Sequence, residues 1–126
     1  MRTLNYLIVL GLEIFINIIS SLLYMPHLDV VVQRSWDRTL YIAHTGYALC
    51  GQGETIPDAI DSAIKIVDAH LSWYTQRKKD FPPHDRDAAF SEAMPRLLRG
   101  AGIVYDSTQE ADIAGSHFSV NSYRIH

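Results

Sequence analysis

Residues 28–74 read LDVVVQR-SWD-RTLYIAHTG-YALCGQGET-IPDAIDSAIKIVDAHLSWY, and this stretch decides the fold. Leu28–Arg34 carries three consecutive valines, the composition of a strand buried on at least one face. Ser35-Trp36-Asp37 supplies turn-forming side chains at both ends. Thr39–Thr45 then alternates, with Leu40, Ile42 and His44 on one face and Thr39, Tyr41 and Ala43 on the other. Two strands joined by so short a link predict an antiparallel hairpin. Tyr47-Ala48-Leu49 begins a third predicted strand, which ends at Gly51 and Gly53.

The helix that follows has the clearest local signal. Thr55 is placed to cap it, Asp58 follows three residues later, and Pro57 lies in the first turn. Ile56, Ala59, Ile60, Ala63, Ile64, Val67 and Leu71 recur at helical spacing and form one apolar stripe. The opposite face carries Asp58, Asp61, Lys65, Asp68 and Ser72. Acids near the helix start suit its dipole, and such a face is ordinarily a solvated one. It is also the type of surface that a basic protein partner would meet. Asp58, Asp61 and Asp68, with Trp36 and Trp73 as aromatic anchors, are therefore the candidate partner-binding residues. A Trp in either position otherwise packs in the core or at its rim.

Cys50-Gly51-Gln52-Gly53-Glu54-Thr55, followed by Pro57-Asp58-Ala59-Ile60-Asp61-Ser62-Ala63 and preceded by the strand Tyr41-Ile42-Ala43, resembles the HicB-like antitoxin family. The resemblance covers residues 28–74. It implies a partial RNase H-like fold: α+β, a β-β-β-α-β unit with an antiparallel three- to four-stranded sheet and one main amphipathic helix packed on it. It implies a cytoplasmic protein-binding module, a dimer that neutralises a small basic ribonuclease toxin by direct contact. Two departures stand out. His44-Thr45-Gly46-Tyr47-Ala48-Leu49 replaces the family's Pro-x-Leu-Pro-Gly segment, and the C-terminal DNA-binding module common in the family has no counterpart here.

Signals for chemistry are sparse. Asp29 and Asp37 do not rebuild a nuclease carboxylate cluster, so no enzyme is expected. The six histidines show no metal-ligand spacing, and there is no phosphate loop or dinucleotide fingerprint. No catalytic residue, cofactor or metal ligand is assigned. His44 and Cys50 could meet as a nucleophilic pair, but no orienting Asn or Asp accompanies them. Cys50, Gly51, Gly53 and Thr55 are assigned structural roles in the loop and cap, with Cys50 expected as a small buried residue packing the loop on the helix.

The bulk properties fit one domain. The chain has 126 residues, 48% of them hydrophobic and 20% charged, enough for a core and against disorder. A net charge of −3 points away from nucleic-acid binding by bulk electrostatics. The single cysteine excludes an internal disulfide. Residues 1–25 form a separate apolar segment before the 26–80 core. Its span 4–24 has the length of a membrane anchor, although Glu13 opposes insertion by about 2.5–3.5 kcal/mol. A buried element of the fold, or sequence upstream of a natural start at Met25, are the alternatives. A membrane-anchored protein using the same fold for another interaction, or a mobile-element protein binding a host nucleic-acid enzyme, are the alternative functions. In residues 81–126, a helical stretch at Asp85–Arg99 is kinked or restarted at Pro95, Ile103–Tyr105 is a short strand, Ser107–Gly115 a loop, and Ser116–His126 an edge strand or tail.

Overall fold

In the computed structural model, residues 8–14, 25–84, 86–97 and 99–126 are described. Five strands form one sheet: β1 (His27–Arg34), β2 (Tyr41–His44), β3 (Cys50–Gly53), β4 (Ile103–Ile113) and β5 (Ser116–Ile125). Between β3 and β4 lie the helices α1 (Ile56–Gln76), α2 (Arg86–Glu92) and α3 (Met94–Leu97). The sheet order is β3-β2-β1-β5-β4. β1 pairs parallel with β5, and every other neighbouring pair is antiparallel.

The α+β class expected from the sequence holds, and the detail differs. The sheet is mixed and five-stranded, where an antiparallel sheet of three to four strands was expected. Two strands follow the helices, and the second of them, β5, lies beside β1. The central position of β1 explains its valine run. Leu28, Val30 and Val32 face α1, while Val31 faces the opposite layer with Ala89, Ala93, Tyr123 and Ile125. A strand covered on both sides reads as continuously apolar. Complete burial of each such side chain stabilises the fold by about 1.5–3 kcal/mol.

The β1–β2 turn is closed by Asp37, whose carboxylate accepts from Ser35 Oγ at 2.6 Å, Thr39 Oγ1 at 2.8 Å and the Thr39 amide at 3.1 Å. The hydrogen bond from Ser35 leads those that hold this carboxyl below its ordinary value. α1 starts where the sequence places it, with Thr55 Oγ1 accepting from the Asp58 amide at 3.2 Å. Ala59, Ile60, Ala63, Val67 and Leu71 are its buried residues.

The loop before α1 corrects one expectation. Cys50 does not pack against the helix; it is exposed and its side chain points to the other face of the sheet, toward His44. Gly51 is the residue that meets α1. A Cβ there would lie 2.5 Å from the Ala59 carbonyl oxygen and 2.7 Å from Ala63 Cα. Gly53 makes a similar approach, with Asp58 and Ala59 as neighbours. Residues 46–48 form a turn, not the start of the strand, and Ala48 has a φ of 58°.

In the C-terminal third the helical stretch breaks near Pro95, and the strands depart from expectation. α2 ends at Glu92 and α3 restarts at Met94, with Pro95 near its beginning. Ser107–Ile113, expected as a loop, belongs to the 11-residue β4. Ser116–Ile125 is an interior strand, paired on both sides. The β4–β5 hairpin turns at Ala114 and Gly115, both with positive φ (52° and 78°), as a tight two-residue hairpin requires. β4 also shifts register between Tyr105 and Ser107.

At the N-terminus, residues 8–14 are helical and every one is exposed. The rest of the proposed anchor at 4–24 lies outside the described residues. No helix among the described residues is long and apolar enough to cross a membrane.

The glycine contact gives a direct test. Gly51→Ala is expected to destabilise the fold by about 3 kcal/mol, since its Cβ meets backbone atoms that move only with the helix. Cys50→Ala is expected to change stability by less than about 1 kcal/mol. Urea unfolding of both variants followed by circular dichroism reads the difference, and the reverse ranking would contradict the orientation of β3.

Candidate functional site

Two parts of the surface carry unusual groupings of side chains: the β4 edge, and a corner of the sheet face opposite α1. β4 is an edge strand, and Ile103–Glu110 is exposed throughout. Its Ile103, Val104 and Tyr105 are large apolar side chains left in solvent. Along the same strand lie Asp106, Glu110 and Asp112, with no Lys or Arg between Ile103 and Ile113. Across the hairpin, His117 Nδ1 is 3.0 Å from Asp112 and its Nε2 is 3.2 Å from Glu110. These contacts, that to Asp112 first, raise the affinity of His117 for its proton.

The second grouping begins with a cross-strand pair. His44 on β2 is in register with Cys50 on β3, and Cys50 Sγ lies 3.5 Å from His44 Nδ1. Glu92, the last residue of α2, brings Oε2 to 3.7 Å from the same nitrogen. Glu92 is itself fixed: Ala48 N–H donates to Oε1 at 2.8 Å and Gly46 N–H to Oε2 at 3.2 Å. On the far side of the ring, Gln33 Nε2 is 2.6 Å from His44 Nε2, its amide N–H donating to that ring nitrogen. The donor atoms of His44, Cys50 and Glu92 all lie within 4.8 Å of one another. Among the described residues, this is the group whose ligand atoms could hold a metal ion. Burial lowers the proton affinity of His44, against the opposing charge of Glu92. Although Cys50 is exposed, partial desolvation by its neighbours, then the Glu92 charge, raises its thiol above the ordinary value. The resting pair is thus imidazole and thiol, with the thiolate disfavoured.

The residues singled out in the sequence are dispersed. Asp58 and Asp61 are exposed on the outer face of α1. Asp68 is half-buried, and its Oδ1 accepts from the Ala114 amide at 2.7 Å, which ties α1 to the β4–β5 turn. Trp36 stands 94% exposed at the β1–β2 turn. It lines an open cleft with Arg34, Arg38 and Arg99, far in charge from an acidic face. Trp73 is 43% exposed, with the Arg77 guanidinium over its ring at 4.1 Å and Lys79 Nζ at 5.1 Å. The acids and tryptophans therefore form no single patch. Thr55, Gly51 and Gly53 act in the cap and loop as expected, and Cys50 joins the His44 corner.

Sequence reasoning missed Glu92, Gln33 and the β4 edge. Glu92 has no local signal beyond being a polar helix residue, because its partners lie 44 and 46 positions away. Comparisons with family models, curated proteins and solved structures find no match.

Two measurements check this geometry. Asp68→Ala is expected to cost about 1–2 kcal/mol by leaving the Ala114 amide unpaired, and Asp61→Ala no more than about 0.5 kcal/mol. Equal small effects in thermal unfolding would remove Asp68 from the helix–hairpin tie. In an NMR titration His44 is expected below 6.5 and His117 above it. A lowered folded value means that the unfolded chain takes up the proton first, so the His44 contribution falls as pH drops below 6.5. The raised value at His117 has the opposite sign: its contribution is full at low pH and is lost as pH rises through the folded value. Coincident midpoints would contradict both environments.

Proposed function

We propose that the chain is a protein-binding module whose β4 edge adds a strand from a small basic protein partner. The observation that carries this is an exposed 11-residue edge strand bearing Asp106, Glu110 and Asp112 beside exposed Ile103, Val104 and Tyr105. An unpaired edge offers a row of backbone donors and acceptors, and strand addition uses them for affinity while side chains select the partner. Carboxylates along that row favour a cationic partner and repel an acidic one.

The resemblance of residues 28–74 to HicB-like antitoxins supports the same reading. By that resemblance the partner would be a small basic ribonuclease toxin, neutralised by contact in the cytoplasm. We assign the dimer implied by that resemblance to a surface other than β4. Antiparallel self-pairing of β4 would set Asp106 and Glu110 of one copy against those of the other, and like charges directly opposite destabilise a ladder. The exposed apolar residues Ile8, Val9, Leu10, Leu12 and Ile14 favour a second reading, in which the 8–14 segment holds the module at a lipid surface.

Affinity capture with the tagged full chain tests the first reading. A small basic protein is expected at near-equal amount, released by salt, and bound at least ~10-fold more weakly by an Asp106→Lys/Glu110→Lys double variant. Capture that is indifferent to this charge reversal, or recovery of no basic protein, would contradict it. Recovery of the chain only with detergent micelles, with the edge variant unaffected, would move the function to residues 8–14.

A further inference from the structure

We propose that His44, Cys50 and Glu92 form a binding site for one divalent cation of the zinc type, with a fourth coordination position open to solvent. The site stands apart from the β4 edge and needs no protein partner, so it goes beyond the binding function proposed above.

The ligand types are those of a borderline-soft ion: one thiolate sulfur, one imidazole nitrogen and one carboxylate oxygen. Calcium and magnesium, which prefer oxygen shells, are poorly matched by a sulfur and a nitrogen among three donors. The distances also agree. Zn–S and Zn–N bonds of ordinary length at a tetrahedral angle separate sulfur from nitrogen by about 3.5 Å. Sγ of Cys50 and Nδ1 of His44 are 3.5 Å apart. The corresponding nitrogen–oxygen separation is about 3.4 Å. His44 Nδ1 and Glu92 Oε2 are 3.7 Å apart and all three donor atoms lie within 4.8 Å of one another, so the Glu92 side chain closes on the ion.

Each ligand is already held in place. The β2–β3 ladder fixes His44 opposite Cys50. The amides of Gly46 and Ala48 fix the Glu92 carboxylate, and each carboxylate oxygen keeps a further lone pair. Gln33 occupies the remaining ring nitrogen, the position where metal-bound histidines usually have an orienting partner. As placed, the Gln33 amide N–H donates to Nε2 and the ring hydrogen sits on Nδ1; a cation at Nδ1 displaces that hydrogen to Nε2, where the carboxamide, turned over, accepts it through its oxygen. Gln33 thus belongs to the site as a positioning residue.

The same three groups make a poor nucleophilic centre. Attack by Cys50 needs a thiolate, and Glu92 opposes a second negative charge beside it. A bound cation reverses that balance. It takes the thiolate and the carboxylate together, accepts a neutral imidazole, and releases the thiol proton to solvent. Cys50 is exposed, which gives the ion an entry path and leaves room for a water as fourth ligand.

Metal-free full chain titrated with Co²⁺ tests the assignment. One ion per chain is expected, with the visible bands of tetrahedral cobalt and a thiolate-to-cobalt charge-transfer band in the near ultraviolet, both removed by added Zn²⁺. Cys50→Ser should abolish the charge-transfer band. Glu92→Gln, which keeps an oxygen for the Ala48 amide, should weaken binding at least ~10-fold. His117→Gln should leave binding unchanged, since the Glu110–His117–Asp112 group lies elsewhere. Because Cys50 is the only cysteine, Zn²⁺ should also slow alkylation of the wild-type thiol, a readout that needs no variant. No saturable cobalt binding, an unchanged spectrum in Cys50→Ser, binding lost in His117→Gln, or alkylation indifferent to Zn²⁺ would each overturn the proposal.

Discussion

The contact of β3 with α1, backbone against backbone, is the constraint on which the other arrangements depend. Gly51 sits where any Cβ would enter the first turns of the helix, beside the Ala59 carbonyl and Ala63 Cα. Small residues on both sides bring helix and strand together, and Ala59 and Ala63 are fully buried there. The apolar stripe of α1 continues from that point over Val30, Val32, Ala43 and Val120. Close packing of this type tolerates little added volume.

Side chains alternate across a strand, so fixing Gly51 toward α1 sends Cys50 to the opposite face. There it meets His44, its register partner, beneath the end of α2. The second layer contributes Glu92, and β1 contributes Gln33 from the same face. One glycine contact thus sets up both the main core and the polar corner. At the other end of the sheet, β5 fills the place beside β1 and leaves β4 as an edge with most of its length in solvent. Three carboxylates and the absence of Lys and Arg along that edge discourage self-association.

Much of the first half of the fold was legible in the sequence, because β1 is a continuous apolar run and α1 has one buried and one exposed side. The stripe of α1, its Thr55 cap and the β1–β2 turn at Asp37 all follow from local rules. β4 escaped because Ser107–Asp112 carries no apolar alternation. A strand exposed on both faces has none to show, and the Ala114-Gly115 turn is not a strong hairpin signal. The orientation of Cys50 escaped for another reason. A small cysteine between apolar residues and glycines reads as core by composition, and only the approach of Gly51 to α1 and the pairing with His44 show which face it takes. Glu92 reached the His44 corner through tertiary contact alone. The acids of α1 look alike in sequence, yet Asp68 is tied to Ala114 while Asp61 faces water.

The reactivity of the Cys50 thiol in the folded, metal-free protein tests the central claim, that Gly51 faces α1 and Cys50 does not. A small alkylating reagent should modify Cys50 at a rate unchanged by denaturant concentrations that leave the fold intact, and faster as pH rises toward the elevated thiol value. Modification that waits for global unfolding, with a rate tracking the unfolding equilibrium, would place Cys50 in the core against the helix and contradict the account.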